Sequence, residues 1–482
     1  MWLMRKIYFF LFLMLNLFLA GQEKAGIVSS NYLSTTSIFL NPSSSVDSRT
    51  YMQLNLGAGY AFGVNNIGYL PKFSFWEPLK TYLKTQTITV EPKVSTIKWN
   101  KFMYGYGSVD GPVFVMSKRN YGVGFFVRAR SVVEGRGTPF NLTNILLGRD
   151  PVTINGKEDI NVHNARFGSM TWFEAGGNFG IMALRHQNHM ITIGGNLKYI
   201  RAINLVYGHV TNLVADQTDT AVDIQSVKAK IRFTDNDMKA GNGMGLDIGI
   251  TYKKMLGPVE TYNAHSTQSN CQYVDYKYKI GLSLRDLGYV RFKKNTTLAD
   301  INGSGYFYTN RDEAYYRTSL GPDLNAPFSH RPFLASLPTN LSAQFDYNFG
   351  YNFYFNASAV QSILPGRFTG VQSPSVLFFC PRYETKNFEV GVPLILHRYL
   401  YPQLGVAFRV RTFVLGFDNL FPLMFKKTTY GVGIYASLGV SLFNNPACKK
   451  KPLRVDDCPP GMKVKERISW RKIFKKKNPK KS

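Results

Sequence analysis

Long stretches of strict alternation between apolar and polar residues constrain the fold of this chain more than any other feature. From Val274 to Leu284 the even positions are apolar, whereas the odd positions from Asp275 to Arg285 are polar, charged or glycine. Such a period of two is typical of a β-strand with one apolar face. The alternating segments run for about 9 to 15 residues, which suits tilted strands that cross a bilayer better than the short strands of soluble domains.

The apolar faces are rich in tyrosine and phenylalanine, of which the chain has 29 and 36. Aromatic bands on the outer face are typical of membrane barrels. Because lipid offers no hydrogen-bond partners, a spanning sheet must close on itself. The pattern therefore predicts an all-β, closed antiparallel transmembrane β-barrel with about 14 strands, and 12 to 16 strands remain open. A secreted, soluble β-protein is the alternative.

The predicted barrel occupies residues 51–443, and an even number of strands returns the C-terminus to the side where the chain began. The short segments Lys118–Asn120, Arg185–His189, Phe349–Tyr351 and Tyr383–Lys386 are expected to be periplasmic turns. Long extracellular loops are expected at 65–109, 132–168, 204–242 and 288–338, while 255–272 is long and periplasmic. The strands are predicted at 51–64, 110–117, 121–131, 169–184, 190–203, 243–254, 273–287, 339–348, 352–362, 374–382, 387–397, 403–411, 413–420 and 429–443.

The N-terminus has the pattern of a secretory signal peptide. Arg5 and Lys6 precede the apolar residues 7–20, and the small residues Ala20 and Gly21 follow. We assign residues 1–21 to a signal peptide, with an N-terminal membrane anchor as the alternative. An exported barrel belongs in the cell outer membrane of a Gram-negative envelope, with both termini periplasmic.

Composition excludes several classes of protein and shows where the positive charge is concentrated. A mean hydropathy of -0.16 is too low for a helical transporter, and an aromatic content of 15% is too high for a disordered chain. The net charge of +28 suggests an anionic partner, but export makes nucleic acid unlikely to be that partner. Residues 449–482 carry 14 Lys/Arg and 3 acids, so the excess is densest there.

The basic tail, residues 444–482, is expected in the periplasm. Around the sequence Trp470, Arg471, Lys472, Ile473, Phe474 it has the pattern of a short basic helix with a partial apolar stripe. Such a helix suits an anionic interface or a groove on a partner protein, and a disordered solubilising tail is the alternative. Cys448 and Cys458 would close a small loop by a disulfide, and Cys271 is within conceivable reach of Cys380.

A short motif precedes the first predicted strand, within the N-terminal segment 22–50. Its residues are Leu40, Asn41, Pro42, Asp47, Ser48 and Arg49. The motif resembles one in a family of uncharacterised outer-membrane barrels that begin with "LNPAS…DSR". More distantly it resembles long-chain fatty-acid transporter-like barrels and barrels associated with type IX secretion. The resemblance to the transporters implies a hatch inside the lumen, and the alternative is a lead-in segment that caps the barrel end.

The alternation also assigns charged side chains to the lumen. The basic ones outnumber the acidic ones, which predicts either cross-strand pairs that hold a filled barrel together or a passage that prefers anions. The assigned residues are Arg128, Arg130, Glu174, Lys198, Asp247, Lys277, Lys279, Arg285, Asp346 and Arg409.

No residue pattern points to an enzyme. His186 and His189 share a predicted turn, but no third metal ligand or nearby nucleophile is recognisable. We expect no catalytic residues, no metal site and no cofactor. The favoured hypothesis is a barrel that docks or assembles envelope or secretion partners. The expected partners are outer-membrane lipids around the barrel, and periplasmic or secretion-system proteins that bind the tail. The alternative is a passive channel or uptake barrel for small anionic or amphipathic solutes.

Overall fold

A computed structural model describes residues 24–73, 93–95, 101–138, 158–217, 221–266, 273–308, 328–363, 369–420 and 427–446. The predicted signal peptide, Cys271, the Cys448–Cys458 pair and the tail residues 470–474 lie outside these ranges. Within them, no helix is long and apolar enough to cross a membrane.

Twenty-two strand segments make up most of the described chain. They are β1 (Met52–Asn65), β2 (Gly68–Phe73), β3 (Lys93–Val94), β4 (Lys101–Lys118), β5 (Tyr121–Thr138), β6 (Glu158–His186), β7 (His189–Gln217), β8 (Ala221–Thr234), β9 (Gly241–Met255), β10 (Tyr276–Phe292) and β11 (Thr296–Tyr308). They continue with β12 (Phe333–Ser336), β13 (Asn340–Gly350), β14 (Phe353–Ser362), β15 (Val376–Glu384), β16 (Phe388–Gly391), β17 (Leu394–His397), β18 (Tyr401–Leu404), β19 (Val406–Val410), β20 (Phe413–Phe417), β21 (Lys427–Thr429) and β22 (Gly431–Leu442).

Nineteen segments form one sheet, and they are the pieces of 14 barrel strands. Five barrel strands are interrupted and consist of two segments each: β8–β9, β10–β11, β12–β13, β16–β17 and β18–β19. β7, for example, pairs along its length with both β8 and β9. The sheet closes where β1 pairs antiparallel with β22, from Met52 opposite Leu442 to Val64 opposite Gly431. The predicted closed antiparallel barrel with about fourteen strands is confirmed.

The outer face of the barrel is apolar, as the alternation predicts. Along β9, buried and exposed side chains alternate without a break from Gly241 to Ile250. Ile248 and Ile250 point outward on β9, next to Ile280 and Leu282 on β10. A closed sheet with an apolar exterior satisfies its backbone internally and can sit in lipid. The chain is therefore an outer-membrane β-barrel.

The two barrel ends differ in their connections. At one end, hereafter the turn end, the strands are joined by the tight connections 119–120, 187–188, 351–352, 385–387 and 411–412. The described part of segment 256–275 lies across these turns, because the amide of Arg119 donates to the carbonyl of Ala264 at 2.8 Å and that of Val259 donates to Gln187 at 2.7 Å. The opposite end is called the loop end.

All four expected long loops are wrong in part. Segments 65–109, 132–168, 204–242 and 288–338 contain continuations of the barrel strands, since β4 already begins at Lys101 and β6 and β7 each reach 29 residues. The chain continues its ladder hydrogen bonds beyond the bilayer, where neither face of the sheet must be apolar. Alternation therefore marks the part of each strand that faces lipid and gives no signal for its extension.

Candidate functional site: a closed barrel lumen

Residues 24–50, hereafter the plug, lie inside the barrel towards the turn end. The plug contains a one-turn helix, α1 (Ser34–Ser37), and a 3-10 turn (Pro42–Ser45), and most of its side chains are buried. Inward-facing side chains of the barrel hold it. The Ser283 hydroxyl donates to the carbonyl of Leu40 at 2.6 Å, and the Asn178 amide donates to the carbonyl of Pro42 at 3.0 Å.

Asn41 and Pro42 form the turn at the centre of the plug. The Asn41 side-chain oxygen accepts a hydrogen bond from the amide of Ser43 at 3.1 Å, so Asn41 is the N-cap of the 3-10 turn that Pro42 begins. Its side-chain nitrogen donates to the carbonyl of Ile250 at 3.2 Å and to the Thr251 hydroxyl at 3.1 Å. The motif therefore shapes the plug and also attaches it to β9.

Asp47 attaches the end of the plug to the turn end of the barrel. Its backbone has a φ of 56°, a left-handed conformation that aspartate tolerates better than most residues. The carboxylate accepts hydrogen bonds from Lys253 Nζ at 2.8 Å and from the Tyr262 hydroxyl at 2.6 Å. Lys253 belongs to β9 and Tyr262 to the segment across the turns, so one carboxylate joins three parts of the chain.

Arg49 and Ser48 complete the attachment at the turn end. The Arg49 guanidinium pairs with Asp275 and with the hydroxyl of Tyr354, which extend inward beside it. The carbonyl oxygen of Ser48 lies 2.8 Å from His265 Nε2. All six motif residues therefore lie in the lumen, and Leu40 packs in a small apolar cluster there.

Inward-facing glycines leave room for the plug. A Cβ atom on Gly249 would lie 2.1 Å from Asn41 Oδ1, and one on Gly194 would lie 2.7 Å from the carbonyl oxygen of Pro42. These distances are far below van der Waals contact, so a side chain at either position would displace the plug. Glycine at these positions thus permits close packing between the plug and the sheet.

A network of buried ion pairs fills the lumen on the loop side of the plug. Asp286 lies at its centre and accepts from Arg130 Nη1 at 2.7 Å and from Lys198 Nζ at 2.6 Å. Lys198 also bonds Asp247 at 2.6 Å. Arg130 bonds Glu174 at 3.3 Å. Each buried charge in the network thus has at least one opposite partner within hydrogen-bond distance.

The plug takes part in this network. Asp110 accepts from Arg128 Nε and from Lys24 Nζ of the plug, each at 2.9 Å. Arg285 donates to the carbonyl of Phe39, a plug residue, at 3.0 Å. These contacts tie the loop side of the plug to β4, β5 and β10.

A second group of ion pairs surrounds the plug nearer the turn end. Asp346 accepts from Arg382 Nη2 at 2.8 Å and lies 3.2 Å from Lys279 Nζ. Arg409 donates to Glu389 at 2.7 Å, and Glu389 also accepts from the Ser30 hydroxyl of the plug at 2.6 Å. Nine of the ten charged residues assigned to the lumen therefore lie there.

Lys277 is the exception. Its Nζ lies 4.8 Å from the ring centre of Tyr347, which packs against the exposed Phe349 on the outer surface. The cause is a bulge between Tyr276 and Tyr278, which moves Tyr276 into the lumen and reverses the faces of its neighbours. The lumenal assignment of Lys277 is wrong.

Alternation also missed acids that lie in the lumen. Asp286 points inward because a bulge interrupts β10 between Leu284 and Leu287, and its φ is 54°. Asp110 precedes a similar irregularity in β4, and Glu384 is fully buried beside Arg382 at 2.9 Å. These acids offset much of the basic surplus that the lumen assignments predict.

Two small cavities of the described chain border the plug. One cavity of about 60 Å³ lies between the plug and the ion-pair network, lined by Lys24, Phe39, Tyr106, Arg128 and Asp286 among others. A second cavity of about 60 Å³ lies within the plug. Spaces of this size hold a few water molecules and no larger solute.

A large apolar cluster also fills part of the lumen, and it includes Ile27 and Leu33 of the plug. Its other side chains come from many strands and include Phe62, Phe102, Val132, Met170, Trp172, Ile200, Leu205, Val290, Phe292 and Leu337. Segment 369–375 folds inward against this cluster, where Val371 is fully buried and the amide of Gln372 donates to Glu134 at 2.9 Å. Hereafter we call 369–375 the inward segment.

The remaining candidate residues give no sign of catalysis. The described residues contain no group of three or more His, Cys, Asp or Glu side chains that could hold a metal. His189 bonds the Tyr252 hydroxyl at 2.7 Å and Lys254 at 2.9 Å. Cys380 carries a free thiol buried in the barrel, so it forms no disulfide with Cys271.

The sequence matches a family described as "Family of unknown function (DUF5723)" over residues 42–418, which is more than half of the chain. The chain belongs to this family. The match begins at Pro42 of the plug and ends just after β20, so it includes the motif residues from Pro42 onward and most barrel strands. No curated protein matches the chain.

Several solved structures resemble the barrel weakly. The "TodX monoaromatic hydrocarbon channel deltaS2 mutant" is 11% identical with a TM-score of 0.39, covering 85% of this chain and 94% of its own. The "CymD monoaromatic hydrocarbon channel" is 12% identical with a TM-score of 0.26, covering 86% and 93%. The outer membrane protease OmpT from Escherichia coli is 9% identical with a TM-score of 0.18, covering 81% and 93%. Likenesses at these TM-scores carry no weight for the function of this chain.

Proposed function

We propose that this protein is a gated uptake barrel for small amphipathic solutes, in which the plug is the moving part. The observation that carries the proposal is the content of the lumen, which holds a plug attached by side-chain contacts, a belt of ion pairs and a large buried apolar cluster.

The kind of hydrogen bonds that hold the plug supports the proposal that the plug moves. Within the described chain, every backbone-to-backbone hydrogen bond of residues 24–48 is internal to the plug. Its bonds to the barrel, such as Lys253 to Asp47 and Asn178 to Pro42, all involve a side chain. The plug can therefore leave its position without breaking the ladder hydrogen bonds that keep the barrel closed.

The buried apolar cluster of the lumen supports the proposal that the solutes are amphipathic. The interior of a water-filled barrel is polar, whereas Phe62, Met170 and Val290 here belong to a continuous buried apolar cluster. Apolar surface gains free energy from contact with an apolar solute body. The adjoining belt of arginine and lysine side chains offers hydrogen bonds to a polar or anionic head group.

An engineered disulfide between plug and barrel tests the proposal. A Cβ atom on Gly180 would lie 2.6 Å from Val46 Cγ2, so cysteines at these two positions are close to the spacing of a disulfide. The double variant Val46→Cys/Gly180→Cys is placed in liposomes, and uptake of labelled octanoate is measured under oxidising and reducing conditions. Each single variant is the control, and labelled glucose is the polar comparison.

We expect octanoate uptake by the wild type, loss of uptake in the oxidised double variant, and recovery after reduction. The Val46→Cys variant should behave like the wild type under either condition, and the Gly180→Cys variant, whose added side chain crowds Val46, should show the same uptake under both conditions. Equal uptake by the oxidised and reduced double variant, with the disulfide shown to be formed, would refute a moving plug. Wild-type uptake no faster than that of empty liposomes would refute the uptake function.

A further inference from the structure

Arg166 on β6 is an unusual buried arginine. Its side chain is 1% exposed, and its Nε, Nη1 and Nη2 atoms have no hydrogen-bond partner. The other fully buried guanidinium groups of the described chain, those of Arg382 and Arg409, bond directly to carboxylates. A buried charge without partners is strongly unfavourable, so a protein that keeps one usually has a use for it.

Arg166 belongs to a row of basic side chains across four neighbouring strands. Arg136 on β5 lies opposite Arg166, which lies opposite His209 on β7, and His209 lies opposite Lys230 on β8. Residues directly opposite each other in a sheet point to the same face. The row therefore runs from the buried Arg166 to the exposed Lys230 on a single face.

One acid acts on this row, because the charge of Glu134 interacts with those of Arg136 and Arg166. The nearest acid along the strands is Glu134, which lies two residues from Arg136 and accepts a hydrogen bond from the amide of Gln372 of the inward segment. Burial lowers the pKa of His209, and the charges of Arg166, Lys230 and Arg136 lower it further. The positive charges are thus close enough to act on one another.

The apolar cluster of the lumen begins next to the row. Tyr207 lies two residues from His209 on the same face, and Gly168 lies two residues from Arg166. Val371 of the inward segment lies 3.1 Å from the position of a Cβ on Gly168. A ligand bound at Arg166 would thus have its charged group on the basic row and its remaining atoms against apolar side chains.

We propose that Arg166 anchors a binding site for an oxyanion, the carboxylate or phosphate group of a small ligand. A guanidinium fork forms two parallel hydrogen bonds to either group, which would satisfy the nitrogens that now lack partners. Arg136 adds positive charge beside it, and the neutral His209 offers a ring nitrogen for hydrogen bonding. This site does not depend on the proposed uptake function, because an oxyanion can bind there whether or not the plug moves.

Binding to the full-length protein in an uncharged maltoside detergent tests the proposal. Isothermal titration measures the dissociation constants of inorganic phosphate and of octanoate, with sodium chloride at matched ionic strength as the reference. The variants are Arg166→Gln, which removes the charge, and Arg166→Lys, which keeps the charge but lacks the fork. Arg232→Gln is the matched control, because Arg232 lies on β8 and pairs with the exposed Asp300 at 2.6 Å.

We expect the wild type to bind at least one probe, Arg166→Gln to bind it at least tenfold more weakly, and Arg232→Gln to bind it normally. Tighter binding of octanoate assigns the site to a carboxylate, and tighter binding of phosphate assigns it to a phosphate group. If Arg166→Gln does not fold, Arg166→Lys decides, and a several-fold loss of affinity is expected. Absence of binding by the wild type, or unchanged affinity in the folded Arg166 variants, would overturn the proposal.

Discussion

The contact between Lys253 and Asp47 gives the sharpest test of how the plug is retained. Lys253 is 7% exposed and Asp47 is 2% exposed, and their charged atoms lie 2.8 Å apart. Replacing Lys253 by methionine keeps most of the side-chain volume. It leaves the Asp47 carboxylate buried, with the Tyr262 hydroxyl still donating a hydrogen bond to it at 2.6 Å. Removal of one partner from a buried ion pair costs roughly 3 to 5 kcal/mol.

This cost falls on the plug rather than on the barrel. When the plug leaves the lumen, Asp47 regains water, whereas the ladder pairing of β9 with β7 and β10 is unchanged. We take about 3 kcal/mol, the lower end of the range, because the hydrogen bond from Tyr262 remains. Since 1.4 kcal/mol corresponds to a factor of ten, the fraction of molecules with a displaced plug should rise on the order of 100-fold.

Hydrogen–deuterium exchange measures this fraction directly. The amides of Thr36, Ser37 and Asn41 form hydrogen bonds inside the plug, and their exchange should accelerate by about two orders of magnitude in Lys253→Met. Lys254→Met is the matched control, because Lys254 is the next residue on the same strand and bonds Asn188 and His189 at the turn end instead. Equal protection of these amides in Lys253→Met and Lys254→Met would refute the reasoning.

Three further changes test other contacts. Gly249→Ala should displace the plug and expose it to protease, because the added Cβ would lie 2.1 Å from Asn41 Oδ1. Burial lowers the pKa of His265, so the neutral form is favoured while the plug is in place. The free energy that His265 adds to plug retention is therefore complete above its ordinary pKa and is lost as the pH falls below about 6.5. The protection factors of the plug amides, which are corrected for the intrinsic pH dependence of exchange, should therefore fall between about pH 7 and pH 5, and His265→Asn should remove that dependence. Asp286→Asn should lower the free energy of unfolding by roughly 3 to 5 kcal/mol in a urea titration, because two buried cations lose their shared partner.

Each change has a control. Gly59→Ala should have no effect, since nothing lies within 4 Å of its Cβ position. Asp300→Asn removes an exposed partner of Arg232 and should cost at most about 1 kcal/mol. The explanation for Gly249 is contradicted if the Gly249 and Gly59 variants are digested at similar rates. The explanation for Asp286 is contradicted by similar urea midpoints for the Asp286 and Asp300 variants. The explanation for His265 is contradicted by pH-independent protection factors in the wild type.

The sequence predicts the lipid-facing part of the fold well, since lipid imposes a period of two on every spanning strand. The segment predicted at 339–348, for example, is β13 (Asn340–Gly350). It predicts poorly wherever a bulge shifts the phase, as at Tyr276 and Asp286. A bulge adds one residue to one strand, and no residue type in this sequence marks its position.

The sequence also does not predict which barrel residues contact the plug. An Asn-Pro pair indicates a turn, but the glycines and carboxylates that contact the plug lie on strands up to several hundred residues away, as with Ser30 and Glu389. Only the closed sheet brings those strands together. The unpaired state of Arg166 likewise depends on tertiary contacts, because arginine is common on strands and its partners cannot be read from spacing.

The position of the plug ahead of β1 has a consequence for how the molecule assembles. The barrel closes only when β22, the last strand, reaches β1, so its closing contact joins residues nearly 400 positions apart. Pairing at such separation is slow because the chain must first lose a large amount of conformational freedom. The plug contacts β5, β6, β7 and β9 from the inside, and it is joined directly to β1. It can therefore act as an internal template that curves the growing sheet and brings the first strand towards the last before the seam forms.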